Sequence, residues 1–177
     1  MDKVIMYSVI GVVCTLVMTY LNKQANVVAS PIEGDIYKLR LNKLYWYVGI
    51  CCIVIAVLIF VRICLTVEFG IGWLIGLFFL IFFGGLGSVL ALWYVNHEFY
   101  FDSNKIESTS IYGNKTSLKW EEIKSIKFKA LAGLLVFEDN NGAKVKAHQH
   151  LVGFIELQNA IEKNTVWKIR DLNLPYK

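Results

Sequence analysis

The chain reads as a membrane α-helical plus β protein: three transmembrane helices, then an antiparallel β-sheet closed by a C-terminal helix. Three observations predict this. Hydrophobic residues make up 56% of the 177, more than a soluble fold of that size uses. They concentrate in the first ninety-five positions as three nearly charge-free segments, at about 4–21, 44–61 and 69–95. From His97 onward the period changes to short β-rich runs separated by turns.

The first segment, Val4 to Leu21, carries no charge over roughly eighteen residues, just long enough against the ~20 that cross a ~30 Å hydrocarbon core. Val27-Val28-Ala29 loosely fits a leader-cleavage site, but the stretch before the apolar run holds one lysine, so a retained span is expected. The second, Leu44 to Val61, opens on Tyr45-Trp46-Tyr47, a pattern of the membrane interface, and ends at Arg62. The third, Phe69 to Val95, has Trp73 near one end and Trp93-Tyr94 at the other; at 1.5 Å per residue it measures roughly 40 Å and must tilt or protrude.

Cationic loops stay in the cytoplasm. Three spans put the 22–43 loop, with Lys23, Lys38, Arg40 and Lys43, on the same side as the C-terminal half, which holds twelve of the eighteen basic residues; Lys3 and Arg62 remain opposite. The expected topology is a multi-pass cell-membrane protein with its N-terminus outside and residues 96–177 cytoplasmic. Net charge of +4 is too small for a nucleic-acid-binding surface. Cys14, Cys51, Cys52 and Cys64 sit in apolar segments without metal-binding spacing and read as packing residues.

In the second half, HEFYFD, KIESTSIY, TSLKW, IKSIKFK, LLVFED and AKVKAHQH are six antiparallel strands. Asn141-Gly142 marks a hairpin, expected as a type I′ turn, and Phe154, Leu157 and Ile161 recur at helical spacing. Residues 38–42 alternate as a strand would yet lead into a helix, so both assignments stay open.

The run SIYGNKTSLKWEEIKSIKF, with Trp120, Ile123 and Ile126 behind the Tyr112-Gly113 turn, resembles the bacterial pleckstrin-homology-like (PH-like) domains of small Gram-positive membrane proteins of largely unknown function. The similarity covers about His97 to Asn164. It implies a strongly bent sheet or barrel capped by a C-terminal helix, serving to bind lipids, peptides or copies of itself without catalysis. Phosphoinositide-binding relatives cluster Lys and Arg around the loop joining their first two strands; the loop aligned with it here, DSNK, has Lys105 alone.

Lys127 and Lys129 alternate on one strand and Lys144 and Lys146 on another, and side chains at i and i+2 share a face. If these strands flank LLVFED, the four ammonium groups form a patch for anionic lipid or a partner; the alternative is a solvated face that keeps the domain soluble. Gly72 and Gly76 form G-x-x-x-G, and Gly84, Gly85, Gly87 and Ser88 form a second small surface, for packing within the chain or against another copy or a membrane partner. Arg62 and Glu68 flank the turn between the second and third spans and are expected to snorkel. His148 and His150 lack a third ligand and read as surface histidines, so no metal or cofactor is expected. Neither nucleophile–base spacing nor a phosphate loop is present. A non-catalytic membrane-anchored binding or scaffolding protein is the resulting expectation; the alternative is an accessory or immunity-type subunit of a membrane transporter.

Overall fold

The computed structural model describes residues 3–172 and 174, with backbone alone for 3–6, 9 and 10. Four helices, α1 (Lys3–Ala25), α2 (Lys43–Thr66), α3 (Ile71–Asn96) and α4 (Phe154–Asn164), accompany seven strands. These are β1 (Tyr37–Arg40), β2 (Glu98–Phe101), β3 (Lys105–Thr109), β4 (Lys115–Lys119), β5 (Ile123–Lys129), β6 (Leu134–Asp139) and β7 (Lys144–His148). The chain divides into a sheet unit (1–40, 98–108, 115–177) and a helical unit (41–97, 109–114).

In the sheet unit, β1 to β4 form one antiparallel sheet in sequential order and β5 to β7 another. Six strands were expected and seven are present among the described residues, because the undecided segment becomes β1, pairing Leu39 with Phe99 and Arg40 with Glu98. Leu39 is wholly buried; alternation places it inward while Lys38 and Arg40 face outward, and Asn42 then accepts the Leu44 amide (2.8 Å) and starts α2. DSNK therefore joins the second and third strands, not the first two. The sheets meet through Phe99 and Phe137, with ring centroids 6.3 Å apart, and Trp120 packs edge-on against Phe137 while its Nε1 donates to the Asp102 carbonyl (2.9 Å). Ile126 is buried and Ile123 half-buried. Helix α4 closes this core with Phe154, Leu157 and Ile161.

The β6–β7 loop departs from the expected two-residue turn. Asp139 and Ala143 close a loop of Asn140, Asn141 and Gly142, in which the Asp139 side chain accepts the Asn141 and Ala143 amides (both 2.8 Å) and Gly142 takes φ 84°. A side-chain acceptor replaces the second left-handed residue.

Helix α1 covers the first expected span but reaches Ala25, and its last turn belongs to the sheet unit. Leu21 and Ala25 are buried, and Gln24 offers its carbonyl to the Gly153 amide (3.4 Å). Gly153 has φ 81°, and a Cβ there would lie 2.6 Å from that of Ala29. Of the three expected spans, two helices among the described residues, α2 and α3, are long and apolar enough to cross a membrane. Several side chains of α1 fall outside the described residues.

The helical unit is an α2–α3 hairpin closed by residues 67–70. Its helices touch where side chains vanish: a Cβ on Gly49 would stand 2.7 Å from the Gly87 carbonyl, and one on Gly87 2.5 Å from that of Gly49. Gly76 faces Phe60 and Ile63. Leu58, Leu74, Phe78 and Ile81 are exposed on a hairpin with almost no polar face, a surface that calls for an apolar solvent. Aromatic pairs occupy both ends, Tyr45–Trp93 and Trp46–Tyr94 at one and Phe60–Trp73 at the other. Arg62 lies inside α2, which continues to Thr66 instead of ending at the charge; Thr66 Oγ1 bonds the Arg62 carbonyl (2.7 Å), and both Arg62 and Glu68 are exposed.

Candidate functional site: a basic sheet face

Strands β5, β6 and β7 build the site. Ile126, Leu135, Phe137, Val145 and Ala147 point into the core, so the alternate residues of each strand face outward. The register aligns Lys127–Val136–Lys146 in one row, Lys129–Leu134–His148 in the next and Ser125–Glu138–Lys144 in the third. All four predicted lysines are thus exposed on one face, and β5 and β7 flank LLVFED as the sequence reading required.

They are not equivalent. Lys144 pairs with Glu138 at 3.3 Å, whereas no ion pair engages Lys127, Lys129 or Lys146 among the described residues. Val136, on the outward side between Lys127 and Lys146, is only 5% exposed. The effective patch is three uncompensated ammonium groups around an apolar centre. Such a face can hold phosphate or carboxylate groups by charge.

A second charged cluster lies on β1–β2. Glu98 accepts from Lys38 (2.7 Å), from Arg40 and from the Tyr100 hydroxyl (2.6 Å), and Lys38 also sits 4.9 Å over the Tyr100 ring. Partial burial pushes the Glu98 carboxyl up, but the three donors outweigh it and hold the group down to about 2. Sequence reasoning missed this cluster, since nothing local relates residue 40 to residue 98.

His148 and His150 are buried rather than on the surface. Their rings are 5.1 Å apart, the His150 amide donates to His148 Nδ1 (3.1 Å), and burial lowers the His150 pKa. Among the described residues no group of three or more His, Cys, Asp or Glu could hold a metal. A polar cleft of about 210 Å³ beside α4 includes Asp35, Ser103, Glu156 and Lys163; Asp35 accepts the Ser103 amide there (3.0 Å).

The expected helix-packing residues separate into two sets. Gly72 faces Val67 and Gly76 packs within the hairpin, together with Gly87, whereas an added Cβ on Gly85 meets nothing and one on Gly84 meets only Leu80. Ser88 turns back to donate to the Gly84 carbonyl (2.8 Å). Comparison with protein families, curated proteins and solved structures finds no match to this chain.

Proposed function

We propose that the chain is a membrane-anchored, non-catalytic binding and scaffolding protein, with a PH-like domain on the cytoplasmic side of the cell membrane. One observation carries the reading: three lysines without ion-pair partners among the described residues share one face of the β5–β7 sheet, in a chain whose strands β1 and β2, of the other sheet, are joined through an apolar helical hairpin. Four strands, then three, then a closing helix is the arrangement expected of a PH-like domain, and it supports that assignment. The hairpin supplies two spans, α1 a third, and the basic residues set the N-terminus outside. The lysine face receives the anionic surface of the partner.

The test is affinity purification of the full chain in mild detergent, with mass spectrometry of co-eluting proteins and lipids. The wild type is expected to retain a reproducible set of anionic lipids or partner chains, which Lys127→Glu/Lys129→Glu/Lys146→Glu loses. Recovery of the wild type alone, monomeric and lipid-free, would contradict the proposal.

A further inference from the structure

The β5–β6 connection reads Ala130-Leu131-Ala132-Gly133, directly after Lys127 and Lys129. Leu131 is fully exposed, at 108% of the reference area. A large apolar side chain in water at a hairpin tip is not explained by core packing. Nor is the tip a loose loop. Residues Ala130–Ala132 form a 3₁₀ turn; the Gly133 amide returns to the Ala130 carbonyl (3.2 Å), and the Gln149 amide donates to the Gly133 carbonyl (2.8 Å). Gly133 takes φ 61°, and a Cβ there would press on the Gln149 side chain at 3.0 Å. The turn is built to present Leu131.

Its position within the sheet unit says what it is presented to. From Gln149 the chain runs directly to Val152, whose amide donates to the Arg40 carbonyl (2.9 Å), and to Gly153, whose amide donates to Gln24 at the end of α1. Leu41 and Asn42 alone separate Arg40 from the first residue of α2. Within the sheet unit the tip therefore lies at the same end as Arg40, the last residue of β1, and Gln24, while the β6–β7 loop at Asn141 lies at the opposite end of the three-stranded sheet. Exposed Val28 and Ile32 occupy the segment that follows α1. Lys127 and Lys129 precede the tip on the outward face, without acidic partners among the described residues. An apolar point backed by unpaired cations matches the layered chemistry of a bilayer surface, acyl chains beneath anionic phosphates.

We propose that Leu131 is a bilayer wedge: the β5–β6 tip dips into the leaflet from which α2 and α3 arise, and Lys127 and Lys129 meet phosphate groups of anionic lipids. This rests on α2 and α3 lying in that membrane.

The experiment uses the full chain in phosphatidylglycerol-containing vesicles. Cys14, Cys51, Cys52 and Cys64 are replaced by Ala, and a single Leu131→Cys or Asn141→Cys carries an environment-sensitive fluorophore. Position 131 is expected to shift to the blue and to be quenched several-fold more than position 141 by lipids spin-labelled near the head group; Lys127→Glu/Lys129→Glu abolishes the difference. With native cysteines retained, the amides of 130–132 are expected to exchange more slowly in anionic nanodiscs than in detergent. A chain that resists carbonate extraction yet leaves position 131 as wet as 141 overturns the wedge alone, and protection gained only on adding a protein extract overturns lipid as the occupant. A chain released by carbonate overturns the anchor and the wedge together. Equal quenching in purely phosphatidylcholine vesicles overturns the role given to the lysines.

Discussion

Replacing Leu39 by Ala is the sharpest internal test of the fold, because it asks whether a strand taken from before the helical hairpin belongs to the sheet that follows it. Leu39 has no exposed surface, pairs with Phe99 and lies 3.1 Å from where a Cβ on Gly153 would stand. Leu→Ala removes the equivalent of three methylenes, about 2.4 kcal/mol of transfer free energy, and a partly unrelaxed cavity raises the cost to about 3 kcal/mol. Amide exchange of the full chain in mild detergent, followed by mass spectrometry, reads this locally. Peptides from β2 and β6 should exchange on the order of a hundredfold faster, since every ~1.4 kcal/mol is a factor of ten. Val28, 74% exposed, supplies the control: Val28→Ala should change exchange by about 0.5 kcal/mol or less. If Leu39→Ala behaves like Val28→Ala, β1 is not part of the sheet and the seven-stranded architecture fails.

Three other predictions concern electrostatics and close packing. Glu98 is held at about 2 against an ordinary 4.5, so its contribution is present above pH 4.5 and lost as pH falls from there towards 2. Because Arg40 is largely exposed, screening leaves on the order of 1–2 kcal/mol, and Glu98→Gln should flatten the acid limb of a denaturation series. His97 is buried, its Nδ1 proton donated to the Thr109 carbonyl (2.7 Å) and its Nε2 without a partner among the described residues. Burial lowers its pKa despite that bond, so stability present above pH 6.5 declines below it; melting points at pH 7.5 and 5.5 should differ less in His97→Gln, with His150, also lowered, accounting for the remaining slope. In the hairpin, Gly87→Ala should destabilise α2–α3 packing by about 1–3 kcal/mol, while Gly85→Ala, which meets nothing, should be neutral or slightly stabilising in detergent melts; equal effects would refute the contact.

Strands β2 to β7 were legible because each is a period-two run bounded by turn residues, and the two Lys-x-Lys pairs declared their common face for the same reason. β1 was not. Four residues leading straight into a helix have no local signature, and their partner lies beyond two long helices, so only tertiary pairing decides the matter. The same long-range register hid Glu98 between Lys38 and Arg40, and it singled out Lys144 as the lysine that Glu138 neutralises. Leu131 escaped notice because KALAGLLVF reads as one apolar run; Gly133, two positions further on, was the available turn signal. His148 and His150 looked like surface residues by type, yet both are buried, His148 at the end of β7 and His150 in the turn after it. Glycine spacing suggested close helix contact, but which glycines are used depends on Gly49 in the facing helix. Hydropathy defined the apolar part of α1 without disclosing that its last turn packs into the sheet unit.

The central claim is that α2 and α3 cross the membrane as a hairpin, with their connecting turn on one side and the sheet on the other. Single cysteines at Phe69, in that turn, and at Asn141, in the sheet, placed in a chain free of other cysteines and treated with an impermeant maleimide, test it directly. In intact cells the account predicts labelling at 69 and protection at 141, reversed in inside-out vesicles. Labelling of both positions from the same side would contradict it.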